Sequence, residues 1–288
     1  MPLIDILIPL SLALIMFGVG TSLRFSDFSQ IAKQPSTLRL GLILQLAFLP
    51  IMAFLTMLFL PIHAEFKVGL VLLSLCPGGA TSNFIAYVLN LKTALSISLT
   101  LLNSVVILLS IPIGVNWASA YFLGQTASLQ LPILPTITNI IGVTLLPVFL
   151  GMTFNHYCNA TSNKLKQVIK ITSALLLGLV FSIKFLAGEQ SGGSGISIDD
   201  LAILLPVTLG FHLFTMLFSY QLSRWLKCDD LDAITIGIEV GLQNTALALL
   251  ISSVFLSNDE VAKPALVYAL FSFFTTFGFA YLAKSFYT

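Results

Sequence analysis

Charge is what this sequence has least of. Asp, Glu, Lys and Arg make up 9% of its 288 residues, where soluble domains carry about 25%. A water-exposed globular surface is therefore excluded. The formal net charge is only +1, and no basic cluster leaves a footprint for nucleic acid. Cysteine is scarce too. Cys76, Cys158 and Cys228 are scattered and odd in number, so they make neither a disulfide framework nor a metal spacing. Strand-like alternation is absent, and the apolar runs are far longer than a membrane barrel strand requires. His63, His156 and His212 lie far apart with no metal spacing, and His-Glu-x-x-His does not occur. With no mid-span Asp pair either, the parts of an intramembrane hydrolase are missing. An enzyme is not expected, and neither are an organic cofactor or an obligatory protein partner.

What is present is hydrophobic: 57% of residues, with a mean hydropathy of +1.00. These values describe an all-α polytopic membrane protein whose surroundings are the lipid bilayer. About nine transmembrane segments can be drawn, over residues 3–23, 38–60, 65–90, 93–117, 132–154, 168–186, 201–225, 233–256 and 262–283. The first has Asp5 in place of a basic flank and a run too long for a signal peptide, so it reads as a retained span. Pro50 is placed to bend the second. A single transmembrane domain is expected, with no separate soluble part.

The positive-inside rule then orients the chain. With the N-terminus outside and the C-terminus cytoplasmic, Arg24, Lys33, Arg39, Lys92, Lys164, Lys166, Lys170, Arg224, Lys227 and Lys284 fall on the cytoplasmic side. Only Lys67, Lys184 and Lys263 fall outside. A multi-pass protein of the cell (inner) membrane is the expectation.

Two segments break the apolar pattern. One carries Cys76-Pro77-Gly78-Gly79-Ala80-Thr81-Ser82-Asn83 at mid-span. Pro lacks an N–H and Gly weakens a helix, so Pro77, Gly78 and Gly79 predict a break whose backbone groups must be satisfied inside the protein. The other reads Glu239-Val240-Gly241-Leu242-Gln243-Asn244-Thr245. A carboxylate at that depth costs about 2.5–3.5 kcal/mol on insertion scales. No Lys or Arg sits mid-span to offset it, which leaves a proton or a metal cation. Glu239 and Gln243 would share a face of a continuous helix. Alternatively, Gly241 breaks the helix and frees carbonyls to coordinate an ion. Two interrupted helices of opposite direction, in corresponding halves, point to an inverted-repeat transporter. The halves would be residues 3–122, lacking an opening helix, and residues 131–284.

The two motifs resemble those of the bile acid:sodium symporter family, in its nine-helix form. The likeness implies two broken helices that cross, set between core and panel bundles. It implies one sodium cage of Ser82, Asn83, Ser96, Thr100 and Glu239. A second would hold Gln45, Glu239, Gln243 and the main-chain carbonyls of Val240 and Leu242. Oxygen ligands suit a hard cation, and about two Na+ ions would be co-transported. Substrate would lie near Ala80, Thr81, Asn244, Thr245, Thr275 and Thr276, the last two replacing His-Asn of some relatives. His212 matches a histidine common in the family, yet it reads slightly better as a neutral, satisfied core residue. The implied function is sodium-coupled symport of an organic anion, bile-acid-like or a small carboxylate such as pantoate or a keto acid. The alternative is a proton-coupled anion carrier on the same scaffold, with Glu239 titrating.

Overall fold

The computed structural model describes residues 3–23, 35–124, 129–157, 162–188 and 192–286. Arg24, Lys33, Cys158 and the polar stretch around the first two lie outside them. Eleven helices build the described chain. They are α1 (Leu3–Gly20), α2 (Ser36–Phe59), α3 (Ala64–Leu75), α4 (Ala80–Val88), α5 (Thr93–Phe122) and α6 (Ile133–Tyr157). Then follow α7 (Ser162–Leu186), α8 (Ile198–Trp225), α9 (Asp230–Gly241), α10 (Thr245–Phe255) and α11 (Asp259–Ser285). Six helices are long and apolar enough to cross a membrane: α2, α5, α6, α8, α11 and the Gln167–Leu186 part of α7. The protein is thus an all-helical, multi-pass membrane protein.

The helices run past the expected spans where charge caps them. Around α8, Ser197 accepts from the Asp200 N–H at 3.0 Å while the Asp200 carboxylate accepts from the Ser197 N–H at 3.0 Å. That reciprocal capping box adds a turn before Leu201. At α11, Asn258 caps the Val261 N–H at 3.1 Å, and Asp259 and Glu260 sit in the first turn, where the helix dipole favours acids. Pro50 follows a π-helical stretch at Leu44–Phe48. A proline has no N–H for the carbonyl four residues back, so the turn before it widens. Pro147 follows the same kind of stretch, Ile141–Leu145, in α6.

The helix α1 packs chiefly on α6 and α7. Gly20 of α1 and Gly151 of α6 face each other so closely that a Cβ on either would enter the other's backbone, a small-residue crossing typical of membrane helices. The remaining helices gather round α3, α5, α9 and α11. The charges sort to two ends. At one end Lys184 pairs with Asp259 at 2.7 Å, Lys263 with Asp200 at 3.0 Å, and Lys263 lies over Phe66, next to Lys67. At the other, Lys284 donates to the Leu89 carbonyl at 2.7 Å, the Lys92 N–H to Thr235 at 3.3 Å, and Arg224 pairs with Asp230 at 3.2 Å. Lys67, Lys184 and Lys263 therefore share one end, as the segment order requires.

Candidate functional site

Both predicted breaks are present. The helix α3 stops at Leu75, and α4 starts at Ala80. The helix α9 stops at Gly241, and α10 starts at Thr245. The breaks meet. Gly78 and Gln243 form an isolated antiparallel bridge, and the Asn244 N–H donates to the Pro77 carbonyl at 2.9 Å. Extended backbone at mid-span thus satisfies itself against its counterpart, which buried polar backbone requires.

Glu239 lies on the last turn of α9, 1% exposed. It forms no ion pair among the described residues. Hydroxyls surround it instead. Ser96 donates to its Oε1, Thr100 to its Oε2 at 3.1 Å, and the Ser82 hydroxyl reaches the same carboxylate. Ser96 also faces Asn83 Oδ1 at 2.7 Å, and Ser82 faces the Gly79 carbonyl at 2.7 Å. All five residues of the first expected cage therefore stand together. Ser96 and Thr100 reach Glu239 from one face of α5, four residues apart. A hydroxyl has one proton, yet Ser96 and Ser82 each face two acceptors. Acceptor oxygens outnumber the protons that link them. Gly78 makes room for this cluster, because a Cβ there would collide with Glu239 Oε2 and lie 3.2 Å from Ser82 Oγ.

The second expected set divides. Gln45 Nε2 donates to Gln243 Oε1 at 2.8 Å and to the Cys76 carbonyl at 3.2 Å, and Gln243 Nε2 donates to the Val240 carbonyl at 2.5 Å. No hydrogen bond among the described residues joins Glu239 to this pair. The reason is the break. Gly241 ends the helix and Leu242 is extended (φ −110, ψ 100), so Glu239 and Gln243 do not share a helix face. The Leu242 carbonyl lies in that extended link, outside the helical ladder.

The candidate substrate residues are placed unequally. Ala80 and Thr81 open α4, with Thr81 exposed. Gly79 precedes them without a side-chain cap. Asn244, by contrast, caps its own helix, its Oδ1 accepting from the Leu247 N–H at 3.0 Å, with Thr245 half-buried beside it. Thr275 is turned to His212 Nε2 at 2.8 Å. Thr276 is fully buried, and its hydroxyl has no partner among the described residues.

His212, 0% exposed, closes the other side of the break. Its Nδ1 lies 2.8 Å from the Gly241 carbonyl and 2.8 Å from the Tyr268 hydroxyl, which also donates to that carbonyl. A carbonyl can only accept, so Nδ1 carries the proton, and in the neutral ring Nε2 accepts from Thr275. His212 is thus a bonded core residue that caps the negative end of α9. Sequence reasoning missed Tyr268. The available signal was a phenol inside an apolar span, which must find a hydrogen-bond partner.

A family profile described as the Sodium Bile acid symporter family matches residues 9–192. The chain is 28% identical over 259 residues to the "Probable sodium/metabolite cotransporter BASS1, chloroplastic" of Arabidopsis thaliana, covering 89% of this chain and 61% of that one. It is 26% identical over 261 residues to the "Uncharacterized sodium-dependent transporter YocS" of Bacillus subtilis, covering 90% and 77%. To the human "Ileal sodium/bile acid cotransporter" it is 24% identical over 263 residues, covering 90% and 73%. It spans about three fifths of the length of the plant relatives, 61% and 59%. With most of its length matched by the profile and its paired helix breaks in place, the chain belongs to the Sodium Bile acid symporter family.

Proposed function

We propose that this protein is a secondary transporter that moves an organic anion with sodium. The carrying observation is the oxygen cluster at Glu239, where acceptors outnumber protons and no basic side chain among the described residues pairs with the acid. A hard cation relieves that imbalance. Ser82, Asn83, Ser96, Thr100 and Glu239 would hold one Na+. Gln45, Gln243 and the Val240 and Leu242 carbonyls would hold a second once the amides turn their oxygens inward, since which way an amide points follows its bonding partners. The family's relatives support the coupling ion by name. They also include a human "Sodium-dependent organic anion transporter".

The substrate's carboxylate would meet the start of α4. Its N-cap residue, Gly79, has no side chain to cover the N–H groups and positive dipole end there. Thr81 is exposed there, whereas Asn244 already occupies the matching place on α10. Bile-acid-like anions and small carboxylates such as pantoate or a keto acid both fit that chemistry. Residues 3–122 and 131–284 would be the two half-repeats. The α1–α6–α7 group would be the panel that rocks against the remaining core, with the breaks as hinges. The N-terminus would lie outside the cell membrane and the C-terminus in the cytoplasm, which places Lys67, Lys184 and Lys263 outside. Two sodium ions with one monoanion would carry net charge inward, so a membrane potential would add about 2.3 kcal/mol per charge per 100 mV.

Ser96 also carries the second reading. Facing two acceptors, it is equally served by a proton on Glu239, which would make this a proton-coupled carrier. Thermal stability of the purified protein in sodium chloride against choline chloride, across pH, separates the two. A sodium-specific rise in wild type that Glu239→Ala loses is the expected result. A stability that follows pH and ignores sodium overturns sodium coupling.

A further inference from the structure

The charges at the two ends of the protein are used differently. At the end that holds Lys92, Arg224 pairs with Asp230 and Lys284 donates to the Leu89 carbonyl. At the other end Lys263 pairs with Asp200 and Glu260. These contacts stay among α4, α8, α9 and α11 or their ends. Lys184–Asp259 is different, because it crosses from α7 of the α1–α6–α7 group to α11 of the remainder. Lys184 is 2% exposed, so its ammonium is buried in the seam where the two groups meet. Asp259 Oδ1 accepts from it at 2.7 Å and from the Ser253 hydroxyl of α10 at 2.6 Å. The lysine is also held from behind. Ser194, in the link from α7 to α8, donates its N–H at 2.8 Å and its hydroxyl at 2.7 Å to the Lys184 carbonyl. Two residues on, Ile196 packs with Phe66, Leu204 and Val267. The helix α10, which leads from the second break toward Asp259, meets α1 along the same half of the seam.

We infer that Lys184 and Asp259 form a releasable ionic latch, which keeps this end of the seam shut while the anion site opens to the other. The inference rests on the transport reading, in which the α1–α6–α7 group rocks against the remaining helices. An ion pair suits a contact that must part. The cost of drying two charges roughly offsets their attraction, and both are solvated once water enters the seam. Apolar surface in the same place would resist being wetted. The direction of access follows from the helices. Thr81 is exposed at the start of α4, and α4 leads from the first break toward Lys92, away from the latch. With Lys184 paired, the anion site is reached from the Lys92 end. Release of Lys184 frees α7 to leave α11 and opens the site to the latch end. The Ser194 bonds draw the α7–α8 link along with the lysine.

The test reads the side of the membrane from which Thr81→Cys is labelled. The full chain carries this change together with Cys76→Ala, Cys158→Ala and Cys228→Ala. A membrane-impermeant methanethiosulfonate is added to intact cells and, separately, to inside-out vesicles. With the latch intact, one side should label and the other should not. Lys184→Gln and Asp259→Asn should each raise labelling from the closed side by about tenfold or more, since a minor conformer is commonly about 0.1–10% populated. Lys184→Arg keeps the charge and should leave that side closed. A purely structural tie would lower thermal stability in detergent and leave the side of labelling unchanged in both neutral variants, which overturns the latch. Labelling of the latched protein from both sides alike, or from neither, overturns the transport reading on which the latch rests. Should Lys184→Gln fail to fold, Asp259→Asn decides, because that side chain is already 37% exposed.

Discussion

The two breaks solve one problem with opposite materials. At residues 76–79 the chain uses Pro77, Gly78 and Gly79, which bring no functional side chain. At residues 242–244 it uses Gln243 and Asn244, which bring two. The first break supplies space. Gly78 leaves a gap that the Glu239 carboxylate fills. The second supplies chemistry, because Gln243 joins Gln45 and Asn244 caps α10. Their carbonyl ends differ as well. Cys76 receives one side-chain donor, Gln45 from α2. Gly241 receives two, His212 from α8 and Tyr268 from α11. One break is held by a residue of the candidate ion site, and the other by residues outside it. Loss of a donor at the first should therefore change ion binding, whereas loss at the second should change stability first.

The sharpest way to break this division is to give the first break a side chain. Gly78→Ala drives a Cβ into the Glu239 oxygen, whose carboxylate is held in place by the Ser96 and Thr100 hydroxyls. We expect the sodium-specific stabilisation, about 2.7 kcal/mol at a hundred times the dissociation constant, to disappear in a sodium-against-choline thermal shift. A sodium response that survives would mean that the gap is not needed.

Next in size is the clamp on Gly241. His212→Phe should cost about 1–3 kcal/mol and Tyr268→Phe about 1 kcal/mol, because a buried carbonyl loses a donor each time. The pair together should cost more than the sum, as the carbonyl is then orphaned. Denaturation of the four proteins in detergent completes the cycle, and the sodium midpoint should move little. Strict additivity would show that the two donors do not share one acceptor.

Gln45→Leu should show the contrary pattern. A loss of about 1 kcal/mol in choline should accompany a rise of about tenfold or more in the sodium midpoint. A pure stability loss would move Gln45 out of the ion site and make the two breaks alike.

The smallest effects lie at the helix starts. Asn244→Ala should cost about 0.5–2 kcal/mol by removing a cap. Gly79→Ser would make the first break resemble the second. The residue is extended (φ −107, ψ −175), and a Cβ meets nothing nearer than Thr81 Oγ1 at 3.4 Å. A serine should fit and add a few tenths of a kcal/mol. It would also cover the N–H groups offered to the anion. Vesicle uptake of a small carboxylate, driven by a sodium gradient, should fall in this variant while sodium-dependent stability persists. Full uptake would place the anion elsewhere.

Much of this was legible in the sequence because it is local. Pro77, Gly78 and Gly79 in succession weaken a helix locally, and the breaks fall there and at Gly241, although Pro112 and Gly237 stand singly inside helices. Ser96 and Thr100 share a face by spacing alone, and Glu239 is conspicuous as an acid at mid-span. The partition of the second oxygen set was not legible. Spacing placed Glu239 and Gln243 on one face, and that inference holds only for a continuous helix. Gly241 ends the helix between them, so Gln243 turns to Gln45, nearly two hundred residues away in the chain (|i−j| of 198). The role of His212 was open for a similar reason. Its partners lie on α9 and α11, and no pattern within α8 names them.

By itself, then, the chain's composition and local chemistry determined a helical membrane protein, the places where two helices stop, and the acid that needs a counter-charge. Those features depend on hydrophobicity, on a missing N–H and on a missing Cβ, which every residue carries in its own structure. Only the tertiary structure decided which groups satisfy the broken ends. Hydrogen bonds form between atoms about 3 Å apart, and helix packing alone brings Gln45, His212 and Tyr268 that close to carbonyls freed by breaks elsewhere in the chain.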